Sequence, residues 1–113
     1  MLSRKSLAIA SLCTIVCAQG SFAEEAFKSS QLLAYSSESQ RGFISTSIIM
    51  ASLIASQNSR KQANCINDWS GKTATGGYQP VVEAMKRFPD HHPSGVVLAV
   101  IQKVCGALKY STP

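Results

Sequence analysis

The stretch FPDHHPSGVVLAVIQKVCGAL, residues 88–108, decides the fold class of this chain. Pro89 ends one helix, because the residue before a proline is pushed out of the α region, and Pro93 is suited to begin the next. Apolar residues then recur three or four positions apart, at Val96, Val97, Val100, Ile101, Val104, Cys105 and Leu108. Five of these are β-branched, which also suits a buried strand. We favour an α-helix, because the run is long and Gln102, Lys103 and Lys109 fit its solvated face.

The first residues have the pattern of a secretory signal peptide. Arg4 and Lys5 form a basic start, and residues 7–18 form an apolar segment too short to span a bilayer. Small residues at Ser21 and Ala23 then suit a cut after residue 23. The pattern predicts export and an oxidising compartment.

A lipoprotein anchor is the alternative to a cleaved signal peptide, because Cys13 and Cys17 lie in the same segment. A lipidated cysteine needs a small residue just before it, and here the preceding residues are Leu12 and Val16. We therefore predict a signal peptide over residues 1–23 and one helical domain over residues 24–113, with no membrane attachment after cleavage.

The charge of the predicted domain is modest. Nine basic and six acidic residues follow residue 23, a net charge of +3 spread along the chain. No stretch combines basic residues with interleaved aromatic residues, so we expect no nucleic-acid binding.

Two cysteines, Cys65 and Cys105, remain in the predicted domain, forty residues apart. In an oxidising compartment they are expected to form a disulfide, which for a loop of this length contributes about 4 kcal/mol. The alternative is a cysteine nucleophile paired with His91 or His92, which we disfavour because the second cysteine consumes the thiol.

The rest of the domain is also predicted to be helical. A short helix is capped by Ser29 or Ser30 and followed by a break at residues 36–39. Residues 42–57 are apolar nearly all round, which predicts a centrally buried helix. Pro80 begins a further helix. Its apolar face is expected to contain Val81, Val82, Met85 and Phe88. The prediction is an all-α, single-domain bundle of four to five helices held by one disulfide.

Residues 58–79 show no apolar periodicity. Cys65 is expected to hold this segment inward, with Trp69 packing nearby. Residues 70–77 are turn formers, glycine among them, and predict a mobile loop.

Asp90, His91 and His92 form the only cluster of titratable groups in the sequence. Metal chelation would need a third ligand, and none can be named. The alternative is that these residues cap the last helix. Neither a Ser/His/Asp arrangement nor a pair of carboxylates is present, so we predict no catalysis, no metal and no cofactor.

Several short motifs along the chain resemble the type VI secretion amidase-immunity proteins, the Rap/Tai group. The resemblance extends from Leu32 to Cys105. The motifs that carry it are Gly42-Phe43-Ile44, Cys65-Ile66, Val81-Val82, Phe88-Pro89-Asp90 with His91 or His92, and Cys105. The chain departs from the family where Tyr35 and Arg41 stand in a region that often holds two further cysteines.

The resemblance implies an all-helical periplasmic inhibitor, often a homodimer, that binds a peptidoglycan amidase effector delivered by a sister cell. Such an inhibitor needs a rigid scaffold and a protruding segment that enters a cleft. Two segments are candidates for that contact, and for each the alternative is a plain solvated connection. The candidate residues are Asp68, Trp69, Ser70, Gly71, Lys72, Thr73 and Tyr78 in the first, and His91 and His92 in the second.

Two other functions stay open at this point. One is a periplasmic acid-stress chaperone, which is also small, helical and singly disulfide-bonded. It ranks second because few acidic groups are present to drive a switch at low pH. The other is a secreted structural module of no assigned class.

Overall fold

A computed structural model describes residues 26–108, and the predicted signal peptide and Lys109 lie outside this range. The described residues fold into five α-helices and contain no strand, which confirms the all-α prediction. The helices are α1 (Ser29–Leu33), α2 (Ser37–Ser56), α3 (Arg60–Ala74), α4 (Gln79–Arg87) and α5 (Pro93–Cys105).

α2 and α3 form an antiparallel helical hairpin, because only residues 57–59 connect them. Each helix begins at a serine cap. The backbone N–H of Ser39 donates to Ser36 Oγ, and the N–H of Gln62 donates to Ser59 Oγ, both at 3.2 Å. The predicted break between α1 and α2 exists, but it covers residues 34–36 rather than 36–39, since Ser36 caps a helix that starts at the next residue.

α4 and α5 follow the proline signals in the sequence. Pro80 is the second residue of α4, Pro89 lies just after its end, and Pro93 is the first residue of α5. α5 ends at Cys105, and Gly106 turns the chain with a φ of 90°. Leu108 thus lies beyond the helix that was predicted to contain it, yet it is buried.

All five helices contribute to one hydrophobic core. Its most deeply buried apolar side chains are Leu32, Ile44, Ile48, Ile66, Val81, Met85, Val97 and Ile101. Two residues predicted for apolar faces are instead largely exposed: Phe88 at 49% and Val104 at 49%. Phe88 is the C-cap of α4, and Val104 is the last residue but one of α5.

A disulfide joins α3 to α5. The Sγ atoms of Cys65 and Cys105 are 2.02 Å apart, and the two Cα atoms are 5.8 Å apart. This confirms the predicted pairing. The bond closes a loop of forty residues and contributes about 4 kcal/mol in the chain-entropy treatment.

The prediction of a mobile loop over residues 70–77 is wrong, because α3 continues through Ala74. The helix was missed because Gln62 and Thr73 take inward positions where a periodic pattern expects apolar side chains. Thr73 Oγ1 donates to the carbonyl oxygen of Trp69 at 2.9 Å, which satisfies the hydroxyl within the helix. Only residues 75–78 connect α3 to α4.

The prediction of a centrally buried α2 is also wrong. One face of this helix packs into the core through Ile44, Ile48 and Ala55, but its opposite face is open. A domain of this size has too few other helices to cover α2 on every side.

The N-terminus of α1 is tied to the turn between α4 and α5. Lys28, rather than Ser29 or Ser30, is the N-cap of α1. Ser29 is fully buried, and both its backbone N–H and its Oγ donate to the carbonyl oxygen of His91 at 2.8 Å. α1 therefore fixes the position of this turn, which contains His91 and His92 and which we call the histidine turn.

Candidate interaction surfaces

The first group of candidate contact residues lies mainly on α3, and the helix separates its members. Asp68, Gly71 and Lys72 are exposed, whereas Trp69 and Thr73 are half-buried and Trp69 packs against the core. Ser70 is half-buried too. The first group is thus a helical surface carrying one carboxylate and one ammonium group, not a flexible loop.

Tyr78 is part of the core rather than a free aromatic anchor. It is 7% exposed and precedes α4 in the left-handed region, with a φ of 58°. Gly77 adopts a φ of 77°, and the Arg41 guanidinium lies 3.5 Å from the point where a Cβ on this glycine would stand. Two consecutive left-handed residues make this a tight, specified turn.

The second group, His91 and His92, lies in the turn between α4 and α5. The backbone N–H of Ser94 donates to His92 Nδ1 at 3.1 Å, so His92 caps α5 as one interpretation of the sequence expected. The His92 ring lies edge-on to Phe27 at 6.0 Å, and the His91 ring lies edge-on to Phe88 at 5.4 Å. Both histidines remain exposed.

The two groups do not share a contact. None of the hydrogen bonds, ring contacts or ion pairs within residues 26–108 joins the α3 group to the histidine turn. Over the same residues, no three His, Cys, Asp or Glu side chains come together in a way that could hold a metal ion.

A groove of about 420 Å³ lies between α4 and α5, next to His91. Its lining residues are Ala84, Arg87, Phe88, His91, Gly95, Val96, Ala99, Val100 and Lys103. The lining combines apolar residues with the basic side chains of Arg87 and Lys103, and it contains one of the two histidines predicted from the sequence.

The open face of α2 is an apolar surface that the sequence analysis missed. Its large side chains are Ile49, Met50, Leu53 and Ile54, exposed at 55%, 54%, 55% and 40% respectively. We call these four residues the α2 stripe. No charged residue occurs anywhere in residues 42–59. The all-round apolar pattern was itself the signal, because it is typical either of a buried helix or of a helix with a second interface.

A second groove continues the α2 stripe toward α5. It has a volume of about 410 Å³ and is apolar. Its lining residues are Phe43, Thr46, Ser47, Met50, Ala51, Ile54, Ser94, Val97, Leu98, Ile101 and Leu108. The exposed apolar surface thus extends from the α2 stripe onto the side of α5.

Among the helices of the described part, none has the length and apolar character needed to cross a membrane.

Comparison with known proteins gave no match: no family model, no curated protein and no solved structure is significantly similar to this chain.

Proposed function

We propose that this chain is an exported immunity protein that binds and blocks a peptidoglycan amidase effector of a type VI secretion system. The observation that carries the proposal is a disulfide-tied helical scaffold that exposes large apolar side chains on two surfaces, the α2 stripe and the edge of the histidine turn at Phe88. Contiguous exposed apolar surface of this kind is typical of protein-binding sites. The motifs that resemble the Rap/Tai group support the choice of target and of the periplasm as the compartment.

Inhibition of this kind is binding alone and needs neither a catalytic group nor a cofactor on this chain. A rigid binder loses little conformational entropy when it docks. Of the predicted contact residues, Asp68, Gly71, Lys72, His91 and His92 are exposed and available to a partner. Tyr78 is buried and acts through the scaffold, whereas Trp69, Ser70 and Thr73 are half-buried and offer a partner less surface.

We assign the α2 stripe to a second copy of this chain. A two-fold axis brings the same face of both copies together, so an uncharged stripe meets an uncharged stripe. No carboxylate or ammonium group of residues 42–59 would be desolvated by this pairing. The homodimer would leave the α3 group and the histidine turn free for the amidase.

The test is protection of cells from the enzyme. Type VI peptidoglycan amidases are exported to the periplasm of a test strain together with this chain, and lysis is followed by optical density. We expect the exported chain to prevent lysis by its cognate amidase, and the purified chain to stop peptidoglycan hydrolysis in a stoichiometric titration.

The matched control is residues 24–113 expressed without the leader, which should not protect because inhibitor and enzyme are then in different compartments. The proposal is wrong if the exported, oxidised chain neither protects against nor inhibits any amidase of the panel, including one encoded beside it.

An acid-stress chaperone is the second candidate function, and the α2 stripe favours it because such a protein needs apolar surface for unfolded clients. Within residues 26–108 the carboxylates are confined to Glu38, Asp68, Glu83 and Asp90. So few groups provide little driving force for an acid-triggered change. Light scattering of a client protein at acidic pH separates the two functions, and we expect no suppression of aggregation.

A further inference from the structure

The groove between α4 and α5 has a shape suited to a projecting side chain. Its lining includes three small residues, Ala84 on α4 and Gly95 and Ala99 on α5. A Cβ added at Gly95 would meet no atom within 4 Å, so the space above the start of α5 is open. The groove is concave and lined mainly by apolar residues, which favours an apolar group that enters it over a flat surface that lies across it.

The groove is bordered by positive charge. Arg87 at the end of α4 and Lys103 near the end of α5 both line it, together with His91. No Asp or Glu is among its lining residues. Within residues 26–108, neither Arg87 nor Lys103 lies within ion-pair distance of a carboxylate.

The carboxylates on the neighbouring segments are directed to other cations. Glu83 Oε2 lies 3.4 Å from Lys86 Nζ, and Asp90 Oδ1 lies 4.0 Å from Lys28 Nζ. Neither acid lines the groove. Arg87 and Lys103 are therefore available to carboxylates of a partner.

Phe88 supplies an apolar contact at the edge of the groove. Its side chain is 49% exposed, and its ring lies edge-on to His91 with centroids 5.4 Å apart. Exposed aromatic and arginine side chains that lie together are the types that dominate binding energy at protein interfaces.

We propose that the α4–α5 groove docks a segment of a partner protein that presents one apolar side chain flanked by carboxylates. The apolar side chain enters the groove beside Phe88, and the carboxylates pair with Arg87 and Lys103. This inference concerns the chemistry of the partner surface and goes beyond amidase inhibition, because it holds whichever enzyme or receptor carries the segment.

The experiment is a selection of random displayed peptides on the purified, oxidised chain. We expect the selected peptides to share an aromatic or aliphatic residue next to Asp or Glu. In NMR spectra of the labelled chain, a selected peptide should shift the amide signals of Ala84, Gly95 and Ala99. Its affinity should fall as salt rises, because exposed charge pairs are screened.

The double variant Arg87→Glu/Lys103→Glu should lower peptide affinity at least about tenfold, since like charges then face each other across the interface. The matched control is Lys86→Glu, on the same helix but outside the groove, which should bind as the parent does. Circular dichroism and melting of each variant confirm that the fold is kept.

The proposal is overturned if no peptide is enriched, if enriched peptides lack acidic residues, or if their shifts map to the α2 stripe. Anionic phospholipid vesicles provide the remaining arm. If vesicles bind the parent but not the double variant while no peptide binds, the basic border serves a lipid surface and the proposal is wrong. Failure of amidase inhibition would leave these results unaffected.

Discussion

At the scale of single residues, Gln62 holds the end of α5 against α3. Its side chain is 7% exposed, and Nε2 donates to the carbonyl oxygens of Cys105, Gly106 and Ala107 at 3.4, 3.0 and 2.8 Å. The Cys105 carbonyl belongs to the last residue of α5 and the other two follow it, so no intrahelical N–H remains to pair with them. Within the described residues Gln62 Oε1 has no donor, so the amide is oriented entirely by its three acceptors.

We expect Gln62→Glu to lower the free energy of unfolding by about 2 to 4 kcal/mol, because a carboxylate would replace the donor and face three carbonyl oxygens. Urea unfolding followed by circular dichroism measures the change. The control Gln79→Glu alters an exposed first-turn residue of α4, where a negative charge is favourable, and should stay within about 0.5 kcal/mol of the parent. Equal losses in both variants would contradict this role for Gln62.

At the scale of elements, α3 is the helix that was not predicted from the sequence. Two glycines, one inside α3 and one in the turn after it, test whether the helix and the turn are assigned correctly. Gly71 is inside α3, exposed, with nothing within 4 Å of an added Cβ. Gly77 lies in the following turn with a φ of 77°. The same substitution at these two positions has opposite expected effects.

Gly71→Ala should stabilise the protein by about 0.5 to 1 kcal/mol, because alanine restricts the unfolded chain and suits a helix interior. Gly77→Ala should destabilise it by about 1 kcal/mol or more, because a Cβ disfavours the left-handed region. The Arg41 side chain, 3.5 Å away, is at ordinary contact distance and is not the cause. Thermal melts of the two variants and the parent measure these changes in stability. A loss of stability in Gly71→Ala would argue against a helix at that position.

The elements that could be predicted from the sequence are those with a strong local signal. Pro80 and Pro93 marked two helix starts to within one residue, and the two cysteines that follow the predicted signal peptide left one pairing. α3 was not predicted, because Gln62 and Thr73 occupy inward positions where hydrogen bonds satisfy their polar groups. A hydropathy pattern treats such polar residues as exposed. Tertiary packing also decided which side of α2 is open, and no periodicity carries that information.

The candidate site was less predictable than the fold. His91 and His92 were recognised as a cluster, and the structure places His91 at the edge of a groove. Arg87 and Lys103 are sixteen residues apart in sequence and become neighbours of the groove only through the packing of α4 on α5. The burial of Tyr78 depends in the same way on helices distant in sequence.

At the scale of the whole molecule, the α2 stripe is the exposed apolar surface that we expect a second copy of the chain to cover. We expect the parent to sediment as a dimer at micromolar concentration and Leu53→Asp to weaken dimerisation by about 2 kcal/mol or more, roughly a thirtyfold rise in the dissociation constant. The physical reason is that the aspartate would be desolvated against an uncharged face.

The matched control for Leu53→Asp is Val104→Asp, which places the same charge at a site of similar exposure, 49% against 55%, outside the α2 stripe. Analytical ultracentrifugation over a concentration series measures both variants. A parent that stays monomeric at every concentration, or a Val104 variant that dissociates as readily, would exclude the α2 stripe as the dimer interface.

The disulfide between α3 and α5 should account for a large part of the stability of the whole domain. We expect the double variant Cys65→Ser/Cys105→Ser to lose about 4 kcal/mol in urea unfolding, because the forty-residue loop is released in the unfolded chain. The parent in reductant should match the variant, and reductant should not change the variant further. A variant as stable as the oxidised parent would show that the helices alone hold the fold.

The same cross-link also determines when the protein reaches its full stability. Before oxidation the free energy of unfolding is lower by about 4 kcal/mol, and for most small domains its total is about 5 to 15 kcal/mol. Under the proposed export, a newly made chain in a reducing interior would therefore be less stable and would unfold more readily, which favours its passage through a translocation channel. Oxidation after export then adds the stability of the disulfide, so the chain reaches its most stable form only after transport.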